Sequence, residues 1–115
     1  MLTKLQNKSI FYQNIFMHHT EAQVRKVLDI LGICRAALMA KGVEPVEFPK
    51  TETNFPKPDE ALNHALWMIN KMDANFIMTE WSKAQRWLGF IQAILWFTTP
   101  TSIEGLATIN RNNQL

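Results

Sequence analysis

The chain contains few of the residues from which covalent crosslinks and catalytic sites are usually built. Its 115 residues include a single cysteine, Cys34, so no internal disulfide can form and a reducing compartment fits best. Its four glycines, at 32, 42, 89 and 105, are too far apart for a phosphate-binding loop. Paired acids and a nucleophile beside a histidine are also missing. The sequence therefore predicts a protein that is not an enzyme and that uses no cofactor.

Long apolar runs and an excess of one charge are missing as well. No apolar segment approaches the ~18 residues needed to cross a bilayer, and the first residues lack the apolar stretch and cleavage site of a signal peptide. Twelve basic and ten acidic residues are interspersed, giving a net charge of +2. The absence of such apolar segments argues against a membrane partner, and the balanced charge disfavours nucleic acid as a partner. Together these features indicate a cytoplasmic protein.

Apolar residues at helical spacing are abundant. Hydrophobic residues make up 47% of the chain, and strand-like alternation never persists outside the loop described below. A chain of this length forms one domain, residues 1–115, that can bury a core without disulfides or metals. We expect an all-α fold: a small bundle of three main helices, with short terminal helices and a Pro-rich loop.

The first main helix is predicted to follow Thr20, whose hydroxyl and Gln23 form a reciprocal capping pattern, and to end at Gly42 in a left-handed conformation. Cys34 falls in its apolar stripe and is interpreted as a buried structural thiol. The neighbouring Arg35 leaves a reactive thiol open. For residues 1–19 we favour a short helix over an ordered arm.

Prolines at 45, 49, 56 and 58 predict a loop over residues 43–58. Val46, Phe48 and Phe55 are expected to anchor it to the helices. It is interpreted as a connector that crosses the bundle, with a binding loop as the alternative.

The second helix is predicted to start at Pro58, and the central helix covers residues 80–97, capped by Thr79 or, one turn earlier, by Asn75. Gly89 and Ala93 give the central helix a smooth strip that another helix can approach. Residues 101–104 repeat the capping pattern with Thr101 in first position, and Ile103, Leu106 and Ile109 predict a short last helix. The two apolar stripes comprise Leu62, Ala65, Leu66, Ile69 and Met72 in the second helix and Ala84, Trp87, Leu88, Ile91, Ile94 and Leu95 in the central one.

The central helix also carries apolar residues outside its stripe, so it needs cover on more than one side. We expect a second copy of the chain to provide part of that cover, which predicts a homo-oligomer. The residues concerned are Trp81, Phe90, Ala93, Trp96 and Phe97.

Two side-chain sets have spacings that fit ligand binding. One face of the second helix carries His64, Trp67 and Met68. These residues either pack at the rim of the core, with the imidazole satisfied locally, or form the wall of a ligand site. Lys83 and Arg86, with nearby tryptophans, can stack a base and neutralise a phosphate, or form a solvated edge whose aliphatic stems cover indole rings. His18, His19 and His64 supply too few ligands for us to expect a metal site.

Three segments of the second half carry a family resemblance. They are residues 64–68 (HALWM), residues 83–96 (KAQRWLGFIQAILW) and residues 101–106 (TSIEGL) with Asn110 and Arg111. This chain resembles, over roughly residues 58–111, small and largely uncharacterised accessory proteins of tailed bacteriophages and prophages, which share the motif K-A-x-R-W-L-G-F-x-Q-x-x-L-W. It departs from them at Gly105, where they have a second acid. The resemblance implies a phage protein in the host cytoplasm that binds a host factor or a signalling molecule to blunt defence.

Three functional hypotheses follow. The first is a non-enzymatic binding protein that inhibits or redirects a host protein, such as a defence effector. The second is an oligomeric sponge in which Lys83, Arg86, His64 and Trp87 or Trp81 line a subunit interface and trap a cyclic oligonucleotide. The third is an accessory protein that binds single-stranded nucleic acid. The candidate binding residues are His64, Trp67, Trp81, Lys83, Arg86, Phe90, Trp96 and Phe97.

Overall fold

The computed structural model describes residues 20–112, and in that range the chain forms helices and no strands, which confirms the all-α prediction. The predicted short helix within residues 1–19 lies outside the described residues. The helices are α1 (Glu21–Ala40), α2 (Pro58–Lys71), α3 (Ala74–Thr79), α4 (Trp81–Thr98) and α5 (Ile103–Asn112).

Both ends of α1 form as the sequence predicts. The Thr20 hydroxyl accepts a hydrogen bond from the Gln23 backbone N–H at 3.2 Å, and the Gln23 side-chain oxygen accepts one from the Thr20 N–H at 2.6 Å. Together these bonds satisfy two N–H groups at the start of the helix. Past the other end, Gly42 adopts a φ of 75°, which glycine reaches without the strain that a Cβ would cause.

One hydrophobic core joins α1, α2, α3 and α4. α2 packs against α4, and α1 packs against α2 and α3. Both predicted stripes contribute, with Leu62, Trp87 and Ile94 only partly buried at its margin. The core residues with no exposed surface are Leu38, Ala65, Ile69, Ile77, Ala84 and Ile91.

Cys34 belongs to this core and is 2% exposed, which confirms the prediction of a buried thiol. Arg35 points away from it toward the end of α2, where its Nε donates to Asn70 Oδ1 at 3.2 Å and its guanidinium also reaches the Ile69 carbonyl. The guanidinium thus serves as a cation at a helix C-terminus. Burial raises the pKa of the Cys34 thiol, while a backbone hydrogen bond opposes the shift. This setting is that of an inert cysteine.

The segment before the central helix differs from the prediction. Asp73, and neither Thr79 nor Asn75, provides the cap: its carboxylate accepts from the Phe76 N–H at 2.8 Å and starts the separate helix α3. Thr79 instead donates its hydroxyl to the Asn75 carbonyl within α3. α4 then begins without a side-chain cap.

The last helix forms despite Gly105, but its cap is one residue later than predicted. Ser102, instead of Thr101, accepts a hydrogen bond from the Gly105 N–H at 2.9 Å. Leu106 is buried and Ile109 packs against the core, whereas Ile103 is 62% exposed.

The Pro-rich segment between α1 and α2 is a loop, as predicted, but two of its three predicted anchors are wrong. Phe55 is 98% exposed and Val46 is 53% exposed. Two main-chain donors hold the loop to α2: the Val46 N–H bonds to the Asn63 carbonyl, and the Phe48 N–H bonds to the His64 side chain. Phe48, the third predicted anchor, is half-buried.

The outer face of α4 is open in its C-terminal half. Phe90 is 53% exposed, Trp96 43% and Phe97 77%. A Cβ added at Gly89 would meet no atom within 4 Å, so no described helix approaches α4 closely at that residue. α4 therefore presents apolar surface beyond what its own core covers.

Candidate functional site

A cavity of about 580 Å³ lies between α2 and α4, beside the Pro-rich loop. We call it the aromatic groove. A volume of this size is in the usual range for ligand sites. Its walls comprise Glu47, Lys50, His64, Trp67, Met68, Lys71, Phe76, Lys83, Arg86, Trp87 and Phe90.

The rings in the groove form a connected wall. His64 stacks on Trp67 with centroids 5.4 Å apart and planes 18° apart, and Phe90 meets the imidazole edge-on at 6.4 Å. Trp87 lies 6.3 Å from Trp67 and 5.1 Å from Phe76. Each separation is in the range in which aromatic pairs attract. The groove therefore presents a continuous apolar surface built from three helices.

His64 is held by the loop. Its Nδ1 accepts the hydrogen bond from the Phe48 N–H at 3.0 Å, so the neutral imidazole carries its proton on Nε2. Burial lowers the pKa of His64, and the nearby Glu47 carboxylate partly opposes that shift. The prediction that this imidazole is satisfied locally is confirmed for Nδ1. His64 therefore orders the wall of the groove as a neutral side chain.

Cations surround the rings. The Lys83 ammonium lies 5.4 Å from the Trp87 centroid and 5.7 Å from the Phe76 centroid, and the Lys71 ammonium lies 5.4 Å from the Trp67 centroid. These are cation–π distances. The Lys83 contact with indole thus involves the ammonium group, whereas the sequence predicted that the aliphatic stem would cover the ring. The charge of Lys83 also lines the groove.

These positive charges are not neutralised by ion pairs in the described part of the chain. Over residues 20–112 the one ion pair joins Arg25 to Glu21, on the surface of α1. Lys50, Lys71, Lys83 and Arg86 are all exposed, and Glu47 is the sole acid among the groove's wall residues. The groove therefore combines an apolar floor with an excess of positive charge at its rim.

The fold brings five of the eight candidate residues to this groove. They are His64, Trp67, Lys83, Arg86 and Phe90. Trp81 instead lines a separate cleft of about 350 Å³ with Gln23, Gln85 and Asn110, between α1, α4 and α5. Trp96 and Phe97 lie at the C-terminal end of α4, with ring centroids 4.7 Å apart.

Sequence reasoning missed three useful members of the groove. Lys71 carries a signal, since it follows Trp67 by four residues and so lies on the same face of the helix. Phe76 belongs to α3, a helix that the sequence pattern does not predict. Lys50 comes from the loop, and its position depends on the main-chain bonds that tie the loop to α2.

The groove is large enough to hold a ligand, but its composition does not indicate catalysis. Its ionisable groups are cations at the rim, one carboxylate and one hydrogen-bonded imidazole, while the thiol of Cys34 lies in the core. No cluster of three potential metal ligands occurs among residues 20–112. The same residues include no helix long and apolar enough to cross a membrane.

Comparisons of the chain with models of known families, with curated protein sequences and with solved structures each found no match.

Proposed function

We propose that this chain is a non-enzymatic binding protein whose aromatic groove recognises an anionic region of a partner protein. The observation that carries the proposal is the convergence of Lys71, Lys83 and Arg86 around a wall of aromatic rings. Aromatic residues and arginine are the side chains most enriched where proteins bind tightly. Cations without ion-pair partners favour a partner of negative charge.

The partner is proposed to be a host factor that the chain inhibits or redirects, in the host cytoplasm. This part rests on the resemblance of residues 58–111 to phage accessory proteins. A protein that blocks its target by occupying it needs no catalytic group, which fits a groove that holds none.

The experiment is a comparison of captured proteins. The tagged wild-type chain, Arg86→Glu and Arg25→Glu are expressed in a bacterial host and recovered with their bound proteins. Both variants replace an exposed helical arginine by glutamate, but only Arg86 lines the groove. We expect at least one protein to be enriched by the wild type and Arg25→Glu and lost with Arg86→Glu. Capture that is identical in all three would contradict the proposal.

A second candidate is a nucleotide sponge, which the presence of Arg86, Lys83, His64 and Trp87 in one groove favours. It is the weaker of the two, because the Lys83 ammonium already lies over the Trp87 ring and His64 stacks on Trp67. A base would have to displace one of them to stack. A thermal-shift screen with cyclic oligonucleotides tests it, since a ligand that binds only the native state raises the melting temperature.

The proposal includes self-association through the C-terminal end of α4. Phe97 and Trp96 form an exposed aromatic pair at that end of the helix. Neither side chain lines the aromatic groove. Self-association through this aromatic pair would thus use none of the residues that line the groove.

A further inference from the structure

The aromatic groove adjoins a second cavity of about 350 Å³. Lys50, His64 and Phe90 line both. Because the two cavities share these three side chains, they meet at the His64–Phe90 pair, and one ligand can extend across both. We call the second cavity the apolar recess.

The two cavities differ in chemistry. The walls of the recess include Pro49, Pro56, Ala61 and Ile94, and its two charged residues, Lys50 and Glu52, have opposite signs. The aromatic groove has a clear cationic excess from Lys71, Lys83 and Arg86. A ligand that fills both therefore needs negative charge at one end and apolar bulk at the other.

The length of the combined site indicates an extended ligand. Along α4 its walls run from Lys83 to Ile94, which at about 1.5 Å per residue is about 16 Å of helix axis. An extended peptide advances about 3.3 Å per residue, so about five residues span this distance. A single nucleotide placed at the cations would leave the apolar recess unused.

On the basis of the binding function proposed above, we infer that the occupant is a linear peptide segment of the partner protein. This segment carries one or more acidic side chains within about five residues of a large apolar side chain. The acidic end lies against Lys83 and Arg86, where charge-assisted hydrogen bonds can form. The apolar side chain enters the recess beside Ala61 and Pro56, where its burial stabilises the complex.

A displayed library of random linear peptides tests the inference even while the partner is unidentified. The full chain selects peptides, and those that also bind Arg86→Glu are removed. We expect the remaining peptides to share an acidic residue near a large apolar residue. Synthetic versions should bind about tenfold more weakly when the acid is replaced by its amide, as loss of a charged hydrogen bond implies.

Variants of the recess test the other half of the site. Ala61→Phe fills the recess from α2, and Pro56→Glu places a charge in it from the exposed loop, so at least one variant is expected to remain folded by circular dichroism. Each folded variant should bind the selected peptides about tenfold more weakly than the wild type does, as loss of one buried apolar side chain implies. Arg25→Glu, outside both cavities, should leave the affinity unchanged.

The inference would be overturned by no enriched peptide, by enriched peptides without acids, or by affinities that the recess variants leave unchanged. An oligodeoxythymidine that binds through Arg86 where no peptide binds would also overturn it. The capture comparison separates this failure from failure of the proposed function. If Arg86 controls capture of a host protein but no peptide is selected, the function stands and the partner presents a folded surface.

Discussion

The backbone N–H of Phe48 donates a hydrogen bond of 3.0 Å to Nδ1 of His64. This bond joins the Pro-rich loop to the wall of the aromatic groove, and it requires the neutral form of the imidazole. His64 in turn stacks on Trp67 and meets Phe90 edge-on. The order of the groove therefore depends on the protonation of one side chain.

Stability should fall in mild acid because of His64. Its pKa is lowered in the folded chain, chiefly by burial, so the unfolded chain takes up the proton first as pH falls. The stabilising contribution is complete above the ordinary histidine pKa of about 6.5 and is lost as pH falls through the folded-state pKa. Urea unfolding at about pH 7.5 and about pH 5 should show a larger loss in the wild type than in His64→Gln. Equal losses in the two proteins would contradict this assignment.

The cap of α3 should be measurable. Asp73→Ala removes the acceptor for the Phe76 N–H and is expected to lower the free energy of unfolding by about 1 kcal/mol. Thr79→Ala is the matched control, since Thr79 lies at the end of α3 and makes no capping bond. Thr79→Ala should lower the free energy of unfolding by less than Asp73→Ala does. The reverse order in chemical denaturation would contradict the assignment of Asp73 as the cap.

Cys34 should be unreactive in the native chain. Its thiol is 2% exposed and its pKa is raised by burial, so little thiolate forms and none is accessible. Reaction with an aromatic disulfide reagent should be on the order of a hundredfold slower than in denaturant, where the core has opened. Rapid native labelling would contradict this expectation and show that the thiol is reactive.

Self-association should depend on Phe97. Light scattering is expected to give a mass above the 13.3 kDa of one chain, because Phe97 and Trp96 leave apolar surface exposed. Phe97→Gln should shift the mass toward that of one chain, whereas Met39→Gln, at an exposed apolar residue of α1, should not. A wild-type mass of one chain at high concentration would refute the homo-oligomer.

Much of the fold could be predicted because the sequence features that mark helix ends and buried helix faces lie close together in the chain. The Thr20–Gln23 pair and Gly42 mark α1, and the recurrence of apolar residues marks the faces of α2 and α4 that become buried. The division between α3 and α4 could not be predicted in this way, since a helix of six residues is too short for periodicity to reveal and Asp73 also fits the end of the helix before it. Two of the three predicted loop anchors are wrong because the side chains of Phe55 and Val46 stay exposed, and Val46 is held by its main chain instead.

The candidate site was only partly predictable for the same reason. That His64 and Trp67 share a face follows from their spacing, but their meeting with Arg86 and Phe90 depends on how α2 packs against α4. Trp81 could be separated from the site by spacing alone, because five residues place it about 140° around the helix from Arg86. Phe76 and Lys50 reach the groove through an unpredicted helix and through main-chain bonds of the loop, which composition does not encode.

The most direct measurement of the central claim is photo-crosslinking from within the groove. A photoreactive phenylalanine analogue is placed at Phe90, and in a second protein at Met39, which is 61% exposed on α1. If the aromatic groove is the recognition site, irradiation in the bacterial host should link a host protein to position 90 and none to position 39, and Arg86→Glu should abolish the adduct. Adducts formed from position 39, or from position 90 regardless of Arg86→Glu, would contradict it.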